Sequence, residues 1–332
     1  MNSNIDFVIT WVDGNDQNWL EEKRKYNPDL TKVDDGESRF REWDLLKYWF
    51  RSVEKNAPWV RKIHFVTYGH LPKFLNVEHP KLNIVKHEDY IPKQYLPTFS
   101  SHPIEMNMHR INDLSECFVY FNDDMYLNAP VCPEDFFKDG KPCLEAVEAC
   151  IRATDINEVY QHIMLNNIAV INKNFSKRSV VKNNFFKWYN LKYGKDLIRN
   201  ICLFPWGCFQ NIINRHLPVP LLKSTFSKVW EAEYEVLDKT SSNKFRAITD
   251  VNPYLFRYWD IMTGNFVPKK QKGKAYHIGV DNTENLKNDI IHAKSKLICA
   301  NDTSCVENFE KIKMEINDAF LMRYKEKSSF EL

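Results

Sequence analysis

At 332 residues the chain is long enough for one large α/β domain or for two, with a sizeable core either way. Its 43% hydrophobic and 27% charged content is that of an ordinary globular protein, and a net charge of +2 excludes a polycation built to bind nucleic acid. No run approaches the roughly 18 apolar residues of a membrane-spanning helix, and the opening MNSNIDFVITWVDG lacks the basic region and apolar core of a secretory signal.

Ile5 to Trp11 (IDFVITW) is β-branched and aromatic, and Asp13-Gly14-Asn15-Asp16 closes it, which predicts a buried strand feeding a turn. A short helix is predicted over 18–26, and the polar, Asp-rich stretch 29–38 reads as a loop. Leu45, Leu46, Trp49, Phe50 and Val53 recur at helical spacing and predict a helix over 43–56, ended by Pro58. Strands follow at 63–68 and 82–86, a helix at 104–114 and a strand at 117–121. This alternation predicts an α/β fold, an open, mostly parallel sheet with flanking helices. After about residue 150 the texture turns helix-rich, with helices predicted over 158–171, 179–193, 252–262 and 306–324. FPWG at 204–207 reads as a loop and KKQKGK at 269–274 as a solvated basic turn. The eight cysteines form no CxxC pair and read as free thiols of a reducing compartment.

In open α/β sheets ligands bind beyond the carboxyl ends of the strands. Two acidic groups fall at such ends: Asp13 after the first strand, and Asp123-Asp124 in FVYFNDDMYL. Adjacent carboxylates beside a buried strand repel one another unless a cation or hydrogen bonds compensate. Mg²⁺ or Mn²⁺, which take hard oxygen ligands, would fit, although Asp pairs also serve in turns and caps. WVDGND reads either as an Asx turn or as a site where Trp11 borders a base and Asp13 or Asp16 accepts from ribose or nucleobase donors. LPTFSSHPIEMNMHRI gathers Ser100, Ser101, His102, Glu105, His109 and Arg110, with Glu105 and His109 one helical turn apart. Downstream, Arg215-His216, Lys223 and Arg246 add further cations. KLICANDT at 296–303 repeats the plan of a strand running into Asn-Asp, which either approaches the metal or shapes a turn, the turn being the simpler reading.

Taken together, four stretches resemble, in order, the signature blocks of the Stealth family. They are IDFVITWVDGND; RFREWDLLKYWFRSVEKNAPWVRKIHFVTYG through LPTFSSHPIEMNMHRINDLSECFVYFNDDMYL; RHLPVPLLKSTFSKVWE; and KLICANDT with its closing helix and KSSFE. The family comprises bacterial capsule and exopolysaccharide phosphotransferases and the lysosomal-enzyme N-acetylglucosamine-1-phosphotransferase. Lys47 departs from the family pattern, which has an Arg there. The inserted modules of the eukaryotic enzyme are absent, so a bacterial polysaccharide acceptor is implied.

The resemblance implies a glycosyltransferase-like (GT-A type) core over residues 1–150 and a helix-rich acceptor-side region over 151–332 that completes the same catalytic unit. It implies transfer of a sugar 1-phosphate from a UDP-sugar to an acceptor hydroxyl, releasing UMP. The expected metal ligands are Asp123 and Asp124. Trp11, Asp13, Gly14, Asp16, Arg51, Asn122 and Lys223 are expected around the nucleotide sugar. His216, Arg246, Glu105, His109 and His102 are expected to carry the chemistry, with His216 the base and His102 its alternate. A conventional metal-dependent glycosyltransferase, releasing UDP, is the competing reading, and a non-catalytic sugar-binding protein a third. A cytoplasmic place is expected. Reaching a lipid-linked acceptor from there, without a spanning segment, implies docking at the membrane's inner face or a partner protein.

Overall fold

The computed structural model describes residues 4–27, 41–153, 155–156 and 158–332, so the loop expected over 29–38 lies outside the described residues. Four parallel strands form the centre: β1 (Ile5–Thr10), β2 (Ile63–Thr67), β3 (Leu82–Lys86) and β4 (Cys117–Phe121), in the order β3-β2-β1-β4. β2 and β4 are buried along their whole length and β1 up to its last residue, as continuous apolar strands covered on both faces should be. Alternation splits β1 between two cores. Ile5, Phe7 and Ile9 face one side with Trp49 and Phe121, while Val8 faces the other with Phe118 and Tyr120. The chain leaves β1 toward β2 on one side and returns as β4 on the other. A crevice therefore opens past the carboxyl ends of β1 and β4.

Beyond β4 come the short strands β5 (Met125–Leu127), β6 (Phe137–Lys138) and β7 (Lys141–Leu144). β8 (Val219–Leu222) then lies antiparallel on the free edge of β4, with Tyr120 opposite Val219. β8 was not expected, because Pro218 and Pro220 disguise it. A proline is tolerated there since an edge strand has one side without ladder bonds. β9 (Val267–Pro268) pairs with β7, and β10 (Gly273–His277) pairs with β11 (Leu297–Asn301), which runs antiparallel to β5. β10 takes over the end of the stretch expected to be a basic turn. As an edge strand it can keep Lys274 and His277 in solvent. Residues 1–150 and 151–332 thus interlock, the later half supplying strands to sheets begun by the earlier one.

Among the helices, α1 (Gln17–Tyr26) and α2 (Leu46–Asn56) match their sequence patterns. After the single turn α3 (His87–Tyr90), the helix expected at 104–114 starts earlier, as α4 (Ser101–Met106), because Ser100 caps it by accepting from the His102 amide. It ends at Asn107, followed by a 3₁₀ turn at Met108–Arg110. α5 (Val159–Asn174) is as expected. The helix expected at 179–193 is instead α6 (Lys177–Asn183) and α7 (Phe185–Trp188), followed by a 3₁₀ segment through Gly194, at φ 60, into α8 (Leu197–Leu203). α9 (Lys223–Ala232), α10 (Tyr234–Ser242), α11 (Tyr254–Thr263), α12 (Thr283–His292) and α13 (Phe309–Arg323) complete the shell. Trp49 of α2 meets Phe50 and Phe121 edge-on at 5.1 and 5.5 Å, fixing that helix against β4.

Candidate active site at the β1–β4 crevice

The acid pair occupies the turn that β4 makes as it leaves the sheet. Met125 N–H donates to the Asn122 carbonyl at 3.2 Å, and the Tyr126 hydroxyl donates to the Asp123 carbonyl at 2.9 Å. β11 braces the turn from outside, its Ala300 N–H donating to the Asp124 carbonyl at 2.8 Å. The Cys299 thiol of the same strand donates to Asp124 Oδ2 at 3.2 Å. Burial and the Asp124 charge drive that thiol well above its ordinary range, so it stays a protonated donor. Asp124 Oδ1 is buried with no hydrogen-bond partner. Asp123 is exposed to solvent at the end of β4, with protein atoms packed around it on the crevice side. That crowding, then the charges of Asp124 and Glu42, pushes its carboxyl up to about 7.

His216 faces this pair, Nε2 lying 3.6 Å from Asp124 Oδ2. Its backbone is left-handed, at φ 50, a conformation that costs a residue with a Cβ and is held by its surroundings. The holder on one side is Arg215. It grips Glu145 with Nε and an amino nitrogen at 2.8 and 2.6 Å and gives a further bond to Asp196 at 2.7 Å. On the other side the Pro218 carbonyl accepts from Gln271 at 2.7 Å, just before β8 begins.

A second group of side chains lies beside the first. The Tyr120 hydroxyl, at the end of β4, donates to Glu105 Oε1 at 2.8 Å and sits 3.2 Å from Thr10 Oγ1 at the end of β1. Buried His102, in the first turn of α4, places Nδ1 2.8 Å from Asp250 Oδ2. The carboxylate only accepts, so Nδ1 carries the proton and Nε2 is left for other work. Asp250 is held in turn by Asn243 at 2.6 Å and the Ala247 amide at 2.9 Å. Arg246 reaches the same corner, donating to Ser101 Oγ at 3.2 Å.

Trp11 is half-buried between Phe65 and His70, ring centroids 5.8 and 5.3 Å away. Asp13 accepts from the Asn15 amide at 2.9 Å, the Asx-turn geometry, and its own amide donates to His70 Nε2 at 2.7 Å. Gly14 lies within that turn, and Asp16 caps α1 by accepting from the Trp19 amide at 2.8 Å. Arg51 and Lys223, expected near the donor, and His109, expected among the catalytic residues, lie elsewhere. Arg51 binds both oxygens of Glu331 at 2.7 and 2.6 Å and the Tyr324 carbonyl at 2.9 Å, which anchors the segment that follows α13. Lys223 follows β8 beside Glu116, at the amino end of β4, a full strand length from Asn122. His109 packs on Phe226 and Trp230 of α9, and burial, then the Arg110 and Lys223 charges, hold its imidazole down at about 3.

Glu42 is an acid of the crevice that the sequence did not single out. Burial raises its carboxyl, its Oε1 accepts from the Asp44 amide at 2.8 Å, and the Trp11 side chain hydrogen-bonds to it. Asp302, of the Asn-Asp echo, holds this segment in place by pairing with Arg41 at 2.7 and 3.0 Å and accepting from Trp43 Nε1 at 3.0 Å. The echo therefore does more than shape a turn. Its equivalence to NDD in sequence pattern was the available signal.

Residues 39–144 match the family model described as Stealth protein CR2, conserved region 2, and residues 3–31 match Stealth protein CR1, conserved region 1. The chain is 45% identical over 330 residues to the capsular polysaccharide phosphotransferase WcwK of Streptococcus pneumoniae, covering 98% of both chains. It is 40% identical to the receptor polysaccharide phosphotransferase WefC of Streptococcus gordonii, covering 99% of each. The exopolysaccharide phosphotransferase cps2G of Lactiplantibacillus plantarum is 38% identical, over 98% of this chain and 96% of the relative. Among solved structures, the WbbM bifunctional glycosyltransferase superposes with a TM-score of 0.38 at 8% identity, over 98% of this chain and 52% of that one.

Proposed function

Because the chain belongs to the Stealth family of polysaccharide phosphotransferases, we propose that its donor is a UDP-sugar and its acceptor a hydroxyl of a lipid-linked glycan. The protein is an enzyme, a phosphotransferase of capsular or exopolysaccharide synthesis. The moving group is a hexose 1-phosphate or N-acetylhexosamine 1-phosphate. The acceptor oxygen bonds to the sugar-bearing phosphorus, the bond from that phosphorus to the bridging oxygen breaks, and UMP leaves. The sugar C1–O bond is never touched, so its anomeric configuration is retained.

His216 is the base, taking the acceptor proton at Nε2. The observation that carries this choice is its position, 3.6 Å from Asp124 at the switch-point crevice, with about a third of its side chain open to an incoming glycan. His102 is buried, braced by Asp250, and better suited to positioning than to meeting a bulky acceptor. Arg246, in the same corner, supplies a guanidinium for phosphoryl oxygens. Asp123 and Asp124 fit Mg²⁺ or Mn²⁺: Asp124 keeps a buried oxygen without a partner, and the neighbouring acids crowd negative charge that a cation relieves. When bound, such an ion neutralises diphosphate charge. Glu42 and Trp11 border the donor side of the same crevice.

The test is the leaving nucleotide. Incubation with UDP-N-acetylhexosamines, Mg²⁺ and capsule oligosaccharide should release UMP, resolved from UDP by ion-exchange chromatography. Release of UDP instead would make the protein a conventional glycosyltransferase. Asp124→Asn and His216→Ala should each lower turnover by about a hundredfold or more while melting near the parent temperature. If His102→Ala abolishes turnover and His216→Ala does not, the base is His102.

A further inference from the structure

The segment 173–206 carries eight of the chain's 46 lysines and arginines but only one of its 44 acids, Asp196. It is therefore net +7 while the rest of the chain is net −5. Six of those cations are exposed: Lys173, Arg178, Lys182, Lys192, Lys195 and Arg199. Interleaved with them are large apolar side chains open to solvent: Phe186 at 83%, Leu191 at 86%, Ile198 at 63%, Ile201 at 58%, Phe204 at 60% and Trp206 at 52%.

The exposure is built, not frayed. α8 turns its polar Asn200 inward, where the side-chain amide donates to the Ala146 and Trp188 carbonyls at 2.7 Å and its oxygen accepts from the Glu148 amide at 2.7 Å. Ile198 and Ile201, three apart on one face, are thereby turned outward. The buried Lys177 fastens the far end of α8, pairing with Glu148 at 2.8 Å and donating to the Leu203 carbonyl at 2.6 Å. Trp188 and Tyr193 fill the inner side. An inverted helix, apolar outward among cations, is costly in water and suits an apolar phase edged with negative charge.

We propose that this face docks the enzyme on the surface of an anionic lipid bilayer, inserting the Phe186–Trp206 side chains among the headgroups. A second copy of the chain is disfavoured, because a two-fold contact would press two sets of exposed cations together. A half-exposed tryptophan in a lysine-rich segment is the composition of a lipid–water interface. The inference deepens the lipid-linked acceptor of the proposed reaction but does not depend on which nucleotide leaves.

The test is co-sedimentation of the full chain with vesicles of phosphatidylcholine containing one-third phosphatidylglycerol, against phosphatidylcholine alone. The parent should bind the anionic vesicles and lose that binding in high salt. Phe204→Ser with Trp206→Ser, and separately Lys192→Glu with Lys195→Glu and Arg199→Glu, should each weaken binding about tenfold or more. Both variants should retain the parent's circular-dichroism melting curve and its rate of nucleotide release with a soluble acceptor. Binding unchanged in both folded variants, or no binding by the parent, overturns the proposal. So does a parent dimer in light scattering that the same substitutions dissolve, which would assign the face to self-association.

Discussion

Asp124 shows how one carboxylate can be arranged for two demands. A protonated thiol holds one oxygen, while the other is buried without a donor. Beside it, solvent-exposed Asp123 sits near 7 because the atoms packed around it and two neighbouring acids oppose its ionisation. A cation needs that carboxylate ionised, so Mn²⁺ affinity, read by calorimetry, should fall as pH drops below about 7. In Glu42→Gln one opposing charge is gone, and the fall should begin at lower pH. An affinity flat from pH 8 to pH 6 would rule this out. The acid pair was legible from its chemistry, two carboxylates after an apolar strand, whereas His216 and His102 stood out through the resemblance to the family blocks. Cys299 was not legible, because it lies 175 positions from the carboxylate it serves. Glu42 and Asp250 were hidden for the same reason, as ordinary acids whose partners come from afar.

At the level of elements, the loop carrying His216 joins a left-handed turn to an edge strand. His216→Gly should lose turnover yet melt within a few degrees of the parent, because glycine accepts φ 50 without strain. His216→Val, β-branched at the same φ, should cost about 1–2 kcal/mol in chemical denaturation. Arg215→Gln should lower kcat more than raise KM, since the Glu145 clamp fixes the loop and touches no substrate. His109 tests the opposite case. Its imidazole is neutral in the fold, titrating near 3 against an ordinary 6.5, so it contributes stability above about 6.5 that is lost as pH falls toward 3. His109→Phe should flatten the melting temperature over that window and leave turnover within a few-fold of the parent. Central strands were legible because burial on both faces leaves an unbroken apolar run. β8 and β10 were not, because edge positions tolerate the prolines and lysines that otherwise signal a turn.

Across the whole molecule, charged clamps hold the sheet at the end away from the crevice. Asp6, wholly buried in β1, meets Arg61 at 2.5 and 2.8 Å, His64 at 3.0 Å and the Ser115 amide at 2.8 Å. Burial opposes its charge, but the His64, Arg61 and Ser115 donors outweigh it and hold the carboxyl below the usual range. A depressed carboxyl gives stability that is full above its unfolded value near 3.9 and is lost as pH falls below it. Asp6→Asn should therefore cost about 3–5 kcal/mol at pH 7, and the gap should close under acid. The α/β architecture was visible in the order of elements, and so was the strand that became β11, whereas its pairing with β5 was not, since pairing across more than a hundred residues leaves no local trace. The Arg51–Glu331 clamp, joining positions 280 apart, carries this furthest. A ribosome emitting the chain in order exposes Arg51 a full 280 residues before its carboxylate. Vectorial synthesis thus leaves the nascent domain open-edged until β8, β11 and finally Glu331 emerge, the interval in which a chaperone would matter most.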